Sequence, residues 1–249
     1  MVRVPPVLLV AALILGATAS PALSAPTGCG RADPELPHWA RARAMTVLHD
    51  SVLLSGQSAL RRGFPCWRVN LLGRPALMLR DAEREIRMSG RRVAPLVVIG
   101  IGYNSLWERD RVNHRRWAER FDGDAFRLLS TLRRAGAEQF VWVTLRRANR
   151  ATTEPRSWGD LRLYSWYFPY VNDRLRRLDA MRSRLVLAEW ARAGARRDVT
   201  YDSIHLNARG GRLMQRLIET TIYEEAYLQA TASPTPASAR APGTDRPAR

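Results

Sequence analysis

The sequence predicts an α/β protein of three layers, a central parallel sheet of about five strands between two layers of helices. Three observations carry that reading. Short apolar runs alternate with amphipathic stretches from Ala44 to Tyr227, the pattern of repeated βαβ units. Two of the runs, Leu96-Val97-Val98-Ile99 and Phe140-Val141-Trp142-Val143, are apolar without alternation, as strands covered on both faces must be. The stretches between the runs repeat their apolar residues at helical spacing.

In chain order, strands are expected over 44–48, 67–71, 95–101, 139–145 and 184–188. Helices are expected over 52–62, 75–88, 124–135 and 170–182, and a long helix over 207–227 closes the unit. Asn207 is its expected N-cap, because a short side chain with an acceptor oxygen can satisfy first-turn N–H groups. In open parallel sheets the chemistry gathers at the carboxyl ends of the strands. The residues that follow each strand are therefore the ones that matter.

The ends of the chain read differently from its middle. Residues 1–25 open with Arg3, pass through the apolar run 7–17 and finish in small residues up to Ala25, the layout of a secretory signal peptide. The run is shorter than the roughly 20 residues of a membrane span; an uncleaved anchor is the other reading, and a lipoprotein at Cys29 fits Pro26-Thr27-Gly28 poorly. Cleavage leaves an exported chain, secreted or held in the periplasm or cell envelope, with no membrane-spanning segment. Cys29 and Cys66, its only cysteines, are expected to pair there. Residues 26–40 read as an N-terminal extension, 41–228 as one folded domain, expected to be a monomer, and 229–249 as a disordered tail of Pro, Ala, Ser and Thr.

A composition of 46% hydrophobic and 25% charged residues is globular and excludes wholesale disorder. The 40 basic residues against 23 acidic ones give +17, a charge that would ordinarily suggest a polyanionic partner. All 40 are arginine, in a chain also rich in alanine, glycine and proline, which is how a coding bias would place them. Nucleic acid is not the expected partner.

The strand ends carry a reactive set. His49-Asp50-Ser51 follows the first strand, Gly73 the second, Gly102-Tyr103-Asn104 the third, and Asp202-Ser203-Ile204-His205 precedes the last helix. Acyl transfer through a serine needs a nucleophile, a base, a carboxylate that orients the base and donors for the oxyanion. Ser51 can attack, His205 can take its proton, and Asp202 can fix the imidazole tautomer. The N–H groups of Ser51 and Gly73 and the amide of Asn104 can meet the oxyanion, each at about 3 kcal/mol of barrier. Singly, these blocks have plainer readings: a helix cap at Asp50-Ser51, a surface loop pair at Asp202 and His205, a turn at Gly73. Their joint placement on one sheet edge is what makes a site. His49 reads as a packed histidine, and His38 and His114 lack partners at metal-ligand spacing. No metal and no cofactor is expected.

These blocks resemble those of the SGNH (GDSL-type) hydrolase superfamily. That family places Gly-Asp-Ser after strand one, a glycine after strand two, Gly-x-Asn-Asp after strand three and Asp-x-x-His near the C-terminus. The resemblance implies a flavodoxin-like three-layer fold and an esterase or acyltransferase, most similar to the SGNH domains of bacterial cell-envelope acyltransferase and deacetylase systems. It makes Ser51, Asp202 and His205 catalytic and Ser51, Gly73 and Asn104 the oxyanion hole. Two positions depart from the pattern: His49 replaces the glycine before Asp50, where a side chain can crowd the nucleophile turn, and Ser105 replaces the aspartate after Asn104. A catalytically degenerate module that binds glycan or another anionic envelope component is the alternative these departures leave.

Between residues 146 and 169 the periodicity lapses and Trp158, Tyr164, Trp166, Tyr167 and Phe168 cluster. Following strand four, they read either as a substrate wall for a sugar face or acyl chain or as a loop packed down by its own rings. Arg146, Arg147 and Arg150 border the segment and can meet an anionic group; otherwise they are solvated. The expected substrate is an acyl ester of an envelope glycan, a lipid or a small molecule.

Overall fold

The structure, a computed structural model, describes residues 29–106, 111–148, 150–153 and 155–232. The expected signal peptide and the tail after Ala232 lie outside the described residues. Five strands, β1 (Ala44–His49), β2 (Arg68–Gly73), β3 (Leu96–Gly100), β4 (Gln139–Val143) and β5 (Leu185–Ala188), form one sheet in the order β2-β1-β3-β4-β5. Every pairing is parallel. Each strand lies within three residues of its expected bounds.

The unbroken apolar runs have a direct cause. In β3, Val97 and Ile99 face one core while Leu96 and Val98 face the other; in β4, Phe140 and Trp142 oppose Val141 and Val143 in the same way. The period of two survives, but both phases are buried. The edge strand β2 is half-exposed along its length.

The helices are α1 (His38–Arg41), α2 (Ser51–Ser55), α3 (Gln57–Gly63), α4 (Leu79–Ser89), α5 (His114–Glu119), α6 (Phe121–Arg134), α7 (Pro155–Leu161), α8 (Tyr167–Ala180), α9 (Trp190–Ala193) and α10 (Ala208–Ala232). The cores of α4, α6 and α8 cover one face of the sheet, and those of α3 and α10 the other. The single helix expected over 52–62 is broken at Gly56 into α2 and α3. Helix α8 begins three residues earlier than expected and takes in Tyr167 and Phe168.

Described structure continues on both sides of residues 41–228. Trp39 in α1 is buried, and its indole N–H donates to Gln229 at 2.9 Å. Gln229 in turn donates to Gln139 at the start of β4, at 3.0 Å, so α10 continues to Ala232 because its last turn is tied to the sheet. Cys29 and Cys66 form a disulfide that fastens the extension to the segment before β2. Among the described residues no helix is long and apolar enough to cross a membrane.

Candidate active site

The carboxyl end of β1 hands the chain directly to α2. Asp50 caps that helix, accepting from the Val52 N–H at 2.9 Å, which leaves Ser51 as its first residue. His205 arrives from the other end of the chain. Between the turn Arg197–Val199 and α10 the backbone closes on itself: Thr200 and Leu206 form an antiparallel bridge, and Tyr201 N–H donates to the His205 carbonyl at 3.1 Å. Asn207 caps α10 as expected, accepting from Arg209 N–H at 3.0 Å and Gly210 N–H at 2.9 Å. A Cβ at Gly210 would lie 1.8 Å from the Val199 carbonyl oxygen, so only glycine lets α10 start this close to the loop it supports. Leu206 N–H donates to Ser55 Oγ at 2.8 Å and stitches the loop to α2.

Asp202 divides its two oxygens. Oδ1 accepts from the backbone N–H groups of Ile204 at 3.0 Å and His205 at 2.7 Å, and Oδ2 lies 2.6 Å from His205 Nδ1. That bond assigns the ring proton to Nδ1 and turns the Nε2 lone pair to Ser51 Oγ, 2.9 Å away. Burial alone would lift the Asp202 carboxyl, but the hydrogen bonds from the His205 ring and the two backbone N–H groups outweigh it and hold the group below its ordinary range. The same hydrogen bond raises His205 above 6.5, against the pull of burial and with help from the charges of Asp202 and Asp50.

Gly73 stands opposite His49 in the β1·β2 register, with φ +148°. A Cβ there would lie 2.0 Å from the His49 carbonyl oxygen, so no other residue fits this strand end. Asn104, in the turn after β3, donates its Nδ2 to Asp50 Oδ2 at 3.0 Å. Burial pushes Asp50 up to about 7, against the N–H donors around it and the nearby His205.

The departures at 49 and 105 take definite forms. His49 is buried, its Nδ1 3.2 Å from the Asp50 carbonyl oxygen, and burial lowers its pKa. It leaves Ser51 within reach of His205. Asn104 keeps a carboxyl partner in Asp50, although Ser105 supplies none.

Two expected substrate contacts need correction. Arg146 is fully buried, its guanidinium donating to the carbonyls of Gly194, Arg196 and Ser203, and Tyr167 is fully buried in the core beside Phe168. Neither can meet a substrate. Tyr164 and Trp166 are half-buried against the same core, Tyr164 beside the His114 ring and Trp166 under Arg115, and Trp158 is half-buried in α7. The segment is largely packed down by its own rings, whereas Arg147 and Arg150 are exposed. The aromatic ring beside the histidine is one the sequence reading passed over. Tyr201 is 62% exposed and lies almost parallel to the His205 ring, at 13°. Its signal was only a hairpin partner position, four residues before His205. Among the described residues, no three of His, Cys, Asp and Glu come together as metal ligands would.

No protein-family model matches the chain, and no curated protein matches it in sequence. Solved structures do match. The chain is similar to the C-terminal catalytic domain of Streptococcus pneumoniae peptidoglycan O-acetyltransferase A (TM-score 0.55, 16% identity, 73% of this chain and 93% of that one). It is similar to a GDSL-like lipase from Bacteroides thetaiotaomicron (TM-score 0.54, 12% identity, 74% and 89% covered), and to an acetyl-xylooligosaccharide esterase from Geobacillus (TM-score 0.50, 12% identity, 72% and 93% covered). At these identities the likeness is one of fold: the chain has the fold of the SGNH (GDSL-type) hydrolases.

Proposed function

We propose that the protein is an exported serine esterase or O-acyltransferase that works through an acyl-enzyme at Ser51. The observation that carries this reading is the continuous relay from Asp202 Oδ2 through His205 to Ser51 Oγ, with contacts of 2.6 and 2.9 Å. His205 Nε2 takes the hydroxyl proton as Ser51 attacks the ester carbonyl, and Asp202 stabilises the imidazolium that forms. The oxyanion is met by the N–H groups of Ser51 and Gly73 and by the Nδ2 hydrogen of Asn104 that Asp50 does not use. His205 then returns its proton to the departing alcohol. Water ends the cycle in a hydrolase, and a sugar hydroxyl in a transferase.

The substrate class, an acyl ester of an envelope glycan, lipid or small molecule, draws support from structural neighbours that include a peptidoglycan O-acetyltransferase and an acetyl-xylooligosaccharide esterase. The Cys29–Cys66 disulfide supports export to an oxidising compartment. Nucleic acid draws no such support, because the paired arginines are spread over separate elements, as at Arg87–Glu83, Arg127–Asp124, Arg176–Glu189 and Arg209–Asp198. Hydrolysis of a panel of acyl esters, short to long, by the wild type and by Ser51→Ala tests the reading. The wild type is expected to turn over at least one of them and the variant to lose about 10³-fold or more; equal turnover by both would return the protein to a binding module.

A further inference from the structure

Arg146 follows β4 and is fully enclosed. Its guanidinium spans three carbonyls of the segment that leads to the base: Gly194 at 2.6 Å, Arg196 at 3.0 Å, and Ser203, which lies between Asp202 and His205. Its own backbone N–H donates to the Tyr103 hydroxyl at 2.6 Å, and Tyr103 adjoins Asn104. The preceding residue is equally fixed, since the Asn172 side chain of α8 accepts from Leu145 N–H at 2.7 Å and donates to its carbonyl at 2.8 Å. One residue thus touches both halves of the site from behind.

We infer that Arg146 is a positioning residue that sets the Asp202–His205 loop against the Asn104 loop. The inference rests on the esterase reading of Ser51. Ser203 shows why a clamp is needed. Its φ of 76° is a left-handed conformation for a non-glycine residue, which persists only where the surroundings over-determine it. Arg146 holds its carbonyl, while its hydroxyl donates to Thr152 and reaches Thr153 Oγ1 at 2.8 Å. A planar guanidinium can serve three carbonyls at once, where an ammonium is a point charge on a flexible stem. Enclosing a cation among carbonyls is unfavourable in itself. The arrangement gains a three-carbonyl cross-link at a place where displacement of about 1 Å can reduce rate 100-fold.

The test uses 4-nitrophenyl acetate and the variants Arg146→Lys, Arg146→Met and Tyr103→Phe. The charged and titratable groups facing the guanidinium are Tyr103 and Asp202; those facing His205 are Asp202, Asp50, Tyr201 and Ser51. Arg146→Lys keeps the charge and loses the fork, so kcat should fall about 10- to 100-fold with KM within about twofold and the acid limb of the pH profile unmoved. Arg146→Met also removes a positive charge that faces Asp202, so the Asp202 carboxylate acts on the imidazolium unopposed and the acid limb should move to higher pH, a change that loosened packing alone would not give. Tyr103→Phe deletes one oxygen, carries the test if the Arg146 variants do not fold, and should lower kcat about tenfold at unchanged KM. Folded Arg146→Lys and Tyr103→Phe proteins with kcat within twofold of wild type would overturn the inference. Failure of the esterase reading is separate, because it shows as turnover by Ser51→Ala.

Discussion

Asn104 gives one hydrogen of its side-chain amide to the carboxyl of Asp50, the residue before Ser51, at 3.0 Å. The second hydrogen is thereby aimed, since an amide plane fixed at one N–H is fixed at the other. Asn104→Ala is expected to lower kcat about 10²- to 10³-fold, the scale of one lost oxyanion donor. Asp50→Asn keeps an oxygen for the Val52 N–H but turns an NH₂ toward the NH₂ of Asn104, and it should lower kcat about tenfold or more. Steady-state kinetics on one ester check both; an unchanged kcat in Asn104→Ala removes that residue from the oxyanion hole.

The acid limb of activity should report His205. Its hydrogen bond to Asp202 raises its pKa above the ordinary 6.5, and a general base works only when neutral. Activity should therefore climb with pH through a midpoint above 6.5. In Asp202→Asn the imidazolium loses its partner, so the midpoint moves to lower pH while kcat falls about 10²- to 10⁴-fold. A pH profile of kcat/KM for both proteins reads the two signs, and a limb that moves upward in the variant contradicts the assignment.

Much of this was legible in the sequence for a physical reason. Strands buried on both faces announce themselves as runs such as Leu96–Gly100, and the reactive blocks stand where parallel strands end. The short helices α1, α5, α7 and α9 were not legible, because tertiary packing rather than a long apolar period specifies them. Arg146 was misread for a related reason: a guanidinium buried among carbonyls and one facing water have the same local sequence. Tyr167 was misread because its segment already belongs to a helix, α8, whose inner face it joins. Tyr201 escaped notice because only the Thr200–Leu206 bridge brings its ring against His205.

Gly73 gives a sharper steric prediction. An alanine there would set its Cβ on the His49 carbonyl and in a φ region that side chains avoid. Gly73→Ala should lose about 1–3 kcal/mol of stability and, if its N–H serves the oxyanion as proposed, about 10²-fold or more in kcat. Denaturant unfolding alongside kinetics separates the two effects. A variant as active and as stable as wild type would show that β2 ends elsewhere.

The disulfide lies away from the chemistry and should act on stability alone. Cys29 and Cys66 are 37 residues apart, a loop whose closure corresponds to roughly 2–4 kcal/mol. Cys29→Ser with Cys66→Ser should lower unfolding free energy by that amount while kcat of the folded protein stays within about twofold. Loss of kcat without loss of stability would tie the N-terminal extension to the site.

In the proposed reaction Ser51 is the residue acylated. Intact-protein and peptide mass spectrometry after treatment with a serine-directed phosphonate tests it most directly. A single adduct on Ser51, forming in step with loss of ester hydrolysis and absent from Ser51→Ala, is the predicted result. An adduct on another residue, or equal labelling and turnover by Ser51→Ala, would contradict it.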